Sequence, residues 1–143
     1  MSAIQLRDAV LSDSTAIAAL VTQLGYPTAG GEMNGRLARL LADPDQAMIV
    51  AEASGHVVGL VSAQVGHALE FDGIFARITA MVVDSQWRGR GVGRRLMGHM
   101  ETWCRERNAL SVILTSGHHR ADAHKFYQAI GYNATGLRFI KRL

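Results

Sequence analysis

AMVVDSQWRGRGVGRRLMGHMETW, residues 80–103, passes from an apolar run through an arginine-glycine stretch into a segment with helical spacing. Trp87 to Arg95 holds four arginines and three glycines. Ahead of it, IFARITAMVVD is long enough to cross a sheet. Behind it, Leu96, Met100 and Trp103 fall on one helical face, while Arg94, Arg95, Glu101, Arg105 and Glu106 lie elsewhere. The order is strand, glycine loop, helix. A helix N-terminus carries free backbone N–H groups and about half a positive charge, and glycines at its entrance let a diphosphate reach the main chain. The P-loop pattern GxxxxGK is absent, and glycines at 89, 91 and 93 make GxGxG where a dinucleotide fingerprint needs GxGxxG. What remains is RxxGxG, formed by Arg88, Gly91 and Gly93.

Outward from this stretch, the chain reads as alternating short elements. Ile4 to Arg7 alternate as a strand. Ser12 or Asp13 can cap a helix carried by Ile17, Leu20, Val21 and Leu24 and stopped by Gly25. YPTAGG breaks the chain, and a second helix with Leu37, Leu40 and Leu41 ends at Asp43-Pro44. AMIVAEASGHVVGLVSAQVG gives two strands around a Ser54-Gly55 turn, and LEFDG turns into the strand before the glycine loop. LSVILTS has the near-continuous apolar run of a central strand. RADAHKFYQAIGY is a helix ended by Gly131, and LRFIKRL a closing strand.

The 143 residues fit one domain, 1–143, and 48% hydrophobic with 19% charged residues is a globular composition. A net charge of +3 helps an anionic ligand arrive but does not diagnose nucleic acid. Readers of single-stranded RNA interleave stacking aromatics with charge, and here only Trp87 is near, so no nucleic-acid partner is expected. With Cys104 as the one cysteine, neither an internal disulfide nor a Cys-based zinc site can form. No signal peptide or membrane span is read, which leads to the expectation of a cytoplasmic protein without a membrane partner.

VVDSQWRGRGVGRRLM resembles the pyrophosphate-binding motif of the GNAT superfamily of acetyl-CoA-dependent N-acetyltransferases, and AHKFYQAIGY resembles that family's second signature. The element order agrees with it along the whole chain. The resemblance implies an α/β fold of order β-α-α-β-β-β-α-β-α-β, with a mixed, mostly antiparallel sheet split at the cofactor slot. It implies an enzyme that moves acetyl from acetyl-CoA to a primary amine of a small molecule by direct attack. Backbone groups of Met81, Val82 and Val83 would bind the pantetheine arm. Arg88, Gly89, Arg90, Gly91, Val92, Gly93 and Arg94 would hold the diphosphate, helped by Arg120, which stands where relatives have an asparagine.

Tyr127 occupies the position of the family's proton donor to the leaving thiolate. The glutamate that many members carry in the strand before the glycine loop is replaced by Thr79 and Ala80. Glu70 is taken as the base, with Asp72, Glu52 and His67 as alternatives. Tyr26, Arg36 and Arg77 are the expected acceptor contacts, and a looser likeness to aminoalkylphosphonate N-acetyltransferases points to an acceptor with an anionic tail, met by Arg36, Arg39 or Arg77. His118, His119 and His124 lack HxxxH spacing, so no metal site is expected. A homodimer is common in similar proteins. A non-catalytic acyl-CoA sensor and an acetyltransferase of protein N-termini or lysines are the rival readings.

Overall fold

A computed structural model describes residues 3–116 and 120–143. They group into two compact units that divide after Ile113. In the first unit the order is β1 (Ile4–Asp8), α1 (Ser14–Leu24), α2 (Gly30–Leu41), β2 (Gln46–Ala53), β3 (His56–His67), β4 (Ile74–Val83), α3 (Val92–Glu106) and β5 (Ala109–Ile113). Short 3-10 turns span Leu11–Asp13 and Ser85–Trp87. The strands lie across one sheet in chain order; β1 to β4 pair antiparallel and β5 joins β4 in parallel. This is the expected mixed, mostly antiparallel sheet.

Successive residues of a strand point to opposite faces, so the sheet buries two layers. On one face Met48, Val50, Leu60 and Val82 pack against Ile17 and Leu20 of α1 and Met33 and Leu37 of α2. The other face receives α3, whose Val92, Leu96, Met97, Met100 and Cys104 are all buried. Each such apolar side chain contributes about 1.5–3 kcal/mol. Trp103, expected in this stripe, is only half-buried and lies under the Arg107 guanidinium at 4.9 Å. Gly59 of β3 sets how closely α3 approaches, because a Cβ there would lie 3.0 Å from Leu96 Cδ1 and 3.2 Å from Val92 Cγ1. That close contact fixes the N-terminal turn of α3 above the sheet.

Two irregularities shape β4. Its ladder with β3 matches Ser62 with Ala80 and Ala63 with Ile78, leaving Thr79 as the extra residue of a bulge. Its parallel ladder with β5 covers only Ile74 to Arg77. Among the described residues, Ile78 to Val83 have no ladder partner on the side that β5 takes from Ile74 to Arg77, and the sheet splits there as expected.

In the second unit α4 (Ala121–Ala129) closes through Gly131, with φ 101°, and through the Tyr132 N–H donating to the Tyr127 carbonyl at 2.9 Å. The expected closing strand is corrected: residues 137–143 form no strand, and Phe139 is 87% exposed. Alternating apolar residues allow a strand, but a ladder partner makes one, and the sheet ends at β5. β5 is accordingly an edge strand that stops at Ile113, with Leu110 exposed, rather than the central strand its apolar run implied. Among the described residues, no helix is long and apolar enough to cross a membrane.

Candidate active site

The glycine stretch folds as its composition requires. Asp84 opens the 3-10 turn, its carboxylate accepting from the Gln86 N–H at 2.9 Å. Gly89 and Gly91 then take left-handed conformations, φ 76° and 81°, that cost a residue with a side chain about 1–2 kcal/mol. Gly91 is the N-cap of α3, and an added Cβ there would meet nothing within 4 Å. The first bond of the helix runs from the Arg95 N–H to the Gly91 carbonyl at 3.1 Å. The N–H groups of Val92, Gly93 and Arg94 therefore lack an acceptor within the helix and point out of its positive end.

Most of the loop's arginines are already engaged. Arg88 Nε donates to the Val83 carbonyl at 3.0 Å, Arg90 stacks on Trp87 at 4.8 Å, and Arg95 donates to the Ile4 carbonyl at 2.8 Å. These contacts brace the loop and leave the main-chain amides at the α3 N-terminus as its unengaged donors. Arg94 is exposed at the first turn of α3.

The open edge of β4 leads into this loop. The Asp84 N–H donates to the Val58 carbonyl at 2.8 Å, which sets the phase of the ladder with β3. By the period of two, Val82 turns its backbone groups toward β3, whereas Met81 and Val83 turn theirs to the open side. Val83 presents its N–H there with its carbonyl taken by Arg88, and Met81 presents both groups. Of the three strand residues expected to bind an extended arm, Met81 and Val83 have the geometry for it.

At the bulge the open edge meets a second feature, a cleft of about 540 Å³ lined by Tyr26, Thr28 and Arg36 on the helical side and by Thr79 and Ala80 on the sheet. Arg36 donates to Glu32 and to Thr28 Oγ1, both at 3.4 Å. Thr79 and Ser62 share a hydroxyl-hydroxyl hydrogen bond of 2.6 Å. Gln46 donates to Gln64 at 3.0 Å, which places the pair on the Ser62 face, and Arg77 is the cross-strand partner of Gln64 on that same face. Of Tyr26, Arg36 and Arg77, expected from sequence as acceptor contacts, Tyr26 and Arg36 line this cleft, while exposed Arg77 lies two positions before the bulge and is not among its lining residues. Ser62 and Gln64 were not expected there; their signal is polar residues alternating with Val61 and Ala63.

The carboxylates do not reach it. Glu70 and Asp72 are exposed in the turn before Ile74, and the strand from there to Thr79 is about 15 Å long at the usual rise. His67 pairs with Ile74 at that same far end. Glu52 accepts from Arg7 Nε at 2.9 Å, and the other arm of Arg7 clamps buried Asp13. The Asp13 carboxyl is held below its ordinary range by the Arg7 hydrogen bonds, against the opposing effect of burial. Asp13 sits at the N-cap of α1 as expected, yet its carboxylate turns back to Arg7 and the Val10 N–H. Burial pushes the Cys104 thiol up, so it stays protonated.

Tyr127 and Arg120 belong to the second unit. Tyr127 is half-buried between the edges of Phe126 and Tyr132, with ring centroids at 5.3 and 6.0 Å, and burial raises its phenol above the ordinary value of 10.0 while Arg120 works against that rise. Arg120 holds the N-cap position of α4, and its side chain makes no capping bond. His124 stands on α4; His118 and His119 lie outside the described residues.

A sheet split beside a left-handed glycine turn at a helix N-terminus is the arrangement expected of the acetyl-CoA-dependent transferases that the sequence resembles. Residues 16–132 match the Acetyltransferase (GNAT) family, and the chain belongs to it. It is 30% identical over 145 residues to the aminoalkylphosphonate N-acetyltransferase of Salmonella typhimurium, covering all of this chain and 94% of that protein. A GNAT family acetyltransferase of Staphylococcus aureus superposes with a TM-score of 0.84 at 27% identity, covering both chains fully. An aminoglycoside N-acetyltransferase solved with CoA superposes with a TM-score of 0.85 at 19% identity over all of this chain and 96% of that one, a likeness of fold. The protein is an acyltransferase that uses acetyl-CoA. Its own residues fit that substrate: unbonded amides at the α3 N-terminus, open space at Gly89 and Gly91, and an unpaired edge at Met81 and Val83.

Proposed function

We propose that residues 1–143 act as one N-acetyltransferase domain that transfers acetyl from acetyl-CoA to the primary amine of a small molecule by direct attack. The observation that carries this reading is the meeting of the open β4 edge and the acceptor cleft at Thr79, Ala80 and Met81. Amides from Gly91 to Arg94 hold the diphosphate, Met81 and Val83 align the pantetheine arm, and an outward N–H of this edge polarises the acetyl carbonyl. Aligning an amine against that carbon is worth about 7–11 kcal/mol. With its one thiol buried and protonated, the chain has no cysteine suited to carry acetyl covalently, which favours direct attack.

Tyr127 keeps its proton through the neutral range and is our choice of donor to the leaving thiolate. Tyr26 walls the acceptor cleft. Arg36 in the cleft wall, with Arg77 nearby on β4, favours an amine bearing an anionic group over a polycation, in keeping with the aminoalkylphosphonate acetyltransferase among the relatives. The test is release of free CoA from acetyl-CoA over aminoalkylphosphonates, amino acids, aminoglycosides, polyamines and peptides. Turnover of small amines, led by those with an acid group, is expected. Tight CoA binding with silence across the panel would favour a sensor, and turnover of peptides alone would favour a protein acetyltransferase.

A further inference from the structure

We propose that Thr79 and Ser62 form a hydroxyl pair that receives the acceptor amine in its neutral form and conducts the proton lost on acylation to water. The proposal rests on the acetyltransferase reading above. As the extra residue of the bulge, Thr79 lines the cleft at the point where the open edge of β4 begins. Its Oγ1 lies 2.6 Å from Ser62 Oγ. Two hydroxyls have two hydrogens and four lone pairs; the bond between them uses one of each. The pair can therefore accept a hydrogen bond from an amine while donating its remaining hydrogen onward. The Gln46–Gln64 pair continues the polar strip on the same face, next to Ser62.

The charged and titratable groups nearest the pair are Tyr26 and Arg36, which line the cleft, Glu32, which pairs with Arg36 at 3.4 Å, and Arg77, two positions before Thr79 on β4. Guanidinium charge on this side of the cleft disfavours a bound ammonium, offset in part by the Glu32 carboxylate. An alkylamine with pKa about 10 costs about 4 kcal/mol to neutralise at pH 7, and an acceptor of lower pKa meets less of that cost. In the step itself the amine nitrogen bonds to the acetyl carbonyl carbon as the carbon-sulfur bond breaks. The N–H proton passes to Thr79 Oγ1 as the Thr79 proton passes to Ser62 Oγ and the Ser62 proton to water. The thiolate takes the Tyr127 proton and water returns one to Tyr127, so amide and free thiol are the only products.

Hydroxyls of this kind do not titrate in the neutral range, so no group of the pair sets a fixed pH limb. The experiment records kcat/KM against pH for two acceptors of one length, with amine pKa values of about 8 and about 10. The rising limb is expected to move by about two pH units with the acceptor; one fixed limb for both would overturn the proposal. Thr79→Val should lower kcat/KM by about 100-fold while Thr79→Ser restores most of it, and full activity in Thr79→Val would also overturn it. Thermal melting checks that the near-isosteric valine leaves the fold intact. Calorimetry of acceptor binding to the CoA-bound protein supplies an activity-free readout, in which Thr79→Val should weaken binding. If no amine turns over, the acetyltransferase reading fails by itself, and equal amine affinity in wild type and Thr79→Val would still overturn the hydroxyl pair.

Discussion

Gln23 Oε1 accepts a hydrogen bond from the Ser85 N–H at 3.1 Å, tying α1 to the turn that follows β4 across 62 residues of sequence. α1 supplies Val21 and Leu24 to the cleft beside Thr79, and the turn leads into the glycine loop. Gln23→Leu should raise the acceptor KM about 3- to 10-fold, the scale of one hydrogen bond, with acetyl-CoA affinity changed less. Gln23→Glu keeps the accepting oxygen and should restore it. Steady-state kinetics in both substrates checks this.

Gly91 has φ 81° at the N-cap of α3. A valine there costs about 1–3 kcal/mol of backbone strain and places its side chain in the space a diphosphate needs. Gly91→Val should lower melting by a few degrees and weaken CoA binding at least about 100-fold, measured by calorimetry; Gly91→Ala should fall between it and wild type.

The Arg7 clamp predicts acid lability. Asp13 has its folded pKa depressed below the ordinary 3.8, chiefly by the Arg7 hydrogen bonds. The unfolded chain therefore binds the proton more readily, so this stability is present above pH 3.8 and is lost as pH falls through the lowered folded value. Asp13→Asn should cost about 1.5–3 kcal/mol at neutral pH and flatten the acid limb of melting temperature against pH.

Tyr127→Phe should lower kcat by about 100-fold with acetyl-CoA affinity little changed, the pattern of a lost proton donor. Stopped-flow measurement of thiol release separates the two quantities. An unchanged rate would assign the donor elsewhere.

The glycine stretch was legible because left-handed turns and helical periodicity are local properties, and positions 89, 91 and 96 display them without reference to the rest of the chain. That the chain leaves α1 before Tyr26 was legible for a similar reason: Gly25 stops the helix and forces the next residues out of it. The bulge at Thr79 was not legible, since it exists only in the register of β4 against β3. Glu70 looked usable as a base because spacing along a chain does not reveal which end of a strand faces the site. Residues 137–143 alternate like a strand, but their sequence cannot supply the neighbour a strand needs. Ser62 could have been singled out as a polar residue inside an apolar strand, although its partner, 17 residues away in sequence, could not.

The most direct measurement is an amide NMR titration of the isotope-labelled protein with CoA. Binding at the split edge and the helix entrance predicts saturable shifts at Met81, Val83 and Gly91 through Arg94, with the ladder amides of β1 and β2 unmoved. Shifts confined to other parts of the chain, with these six residues unperturbed at saturation, would contradict it.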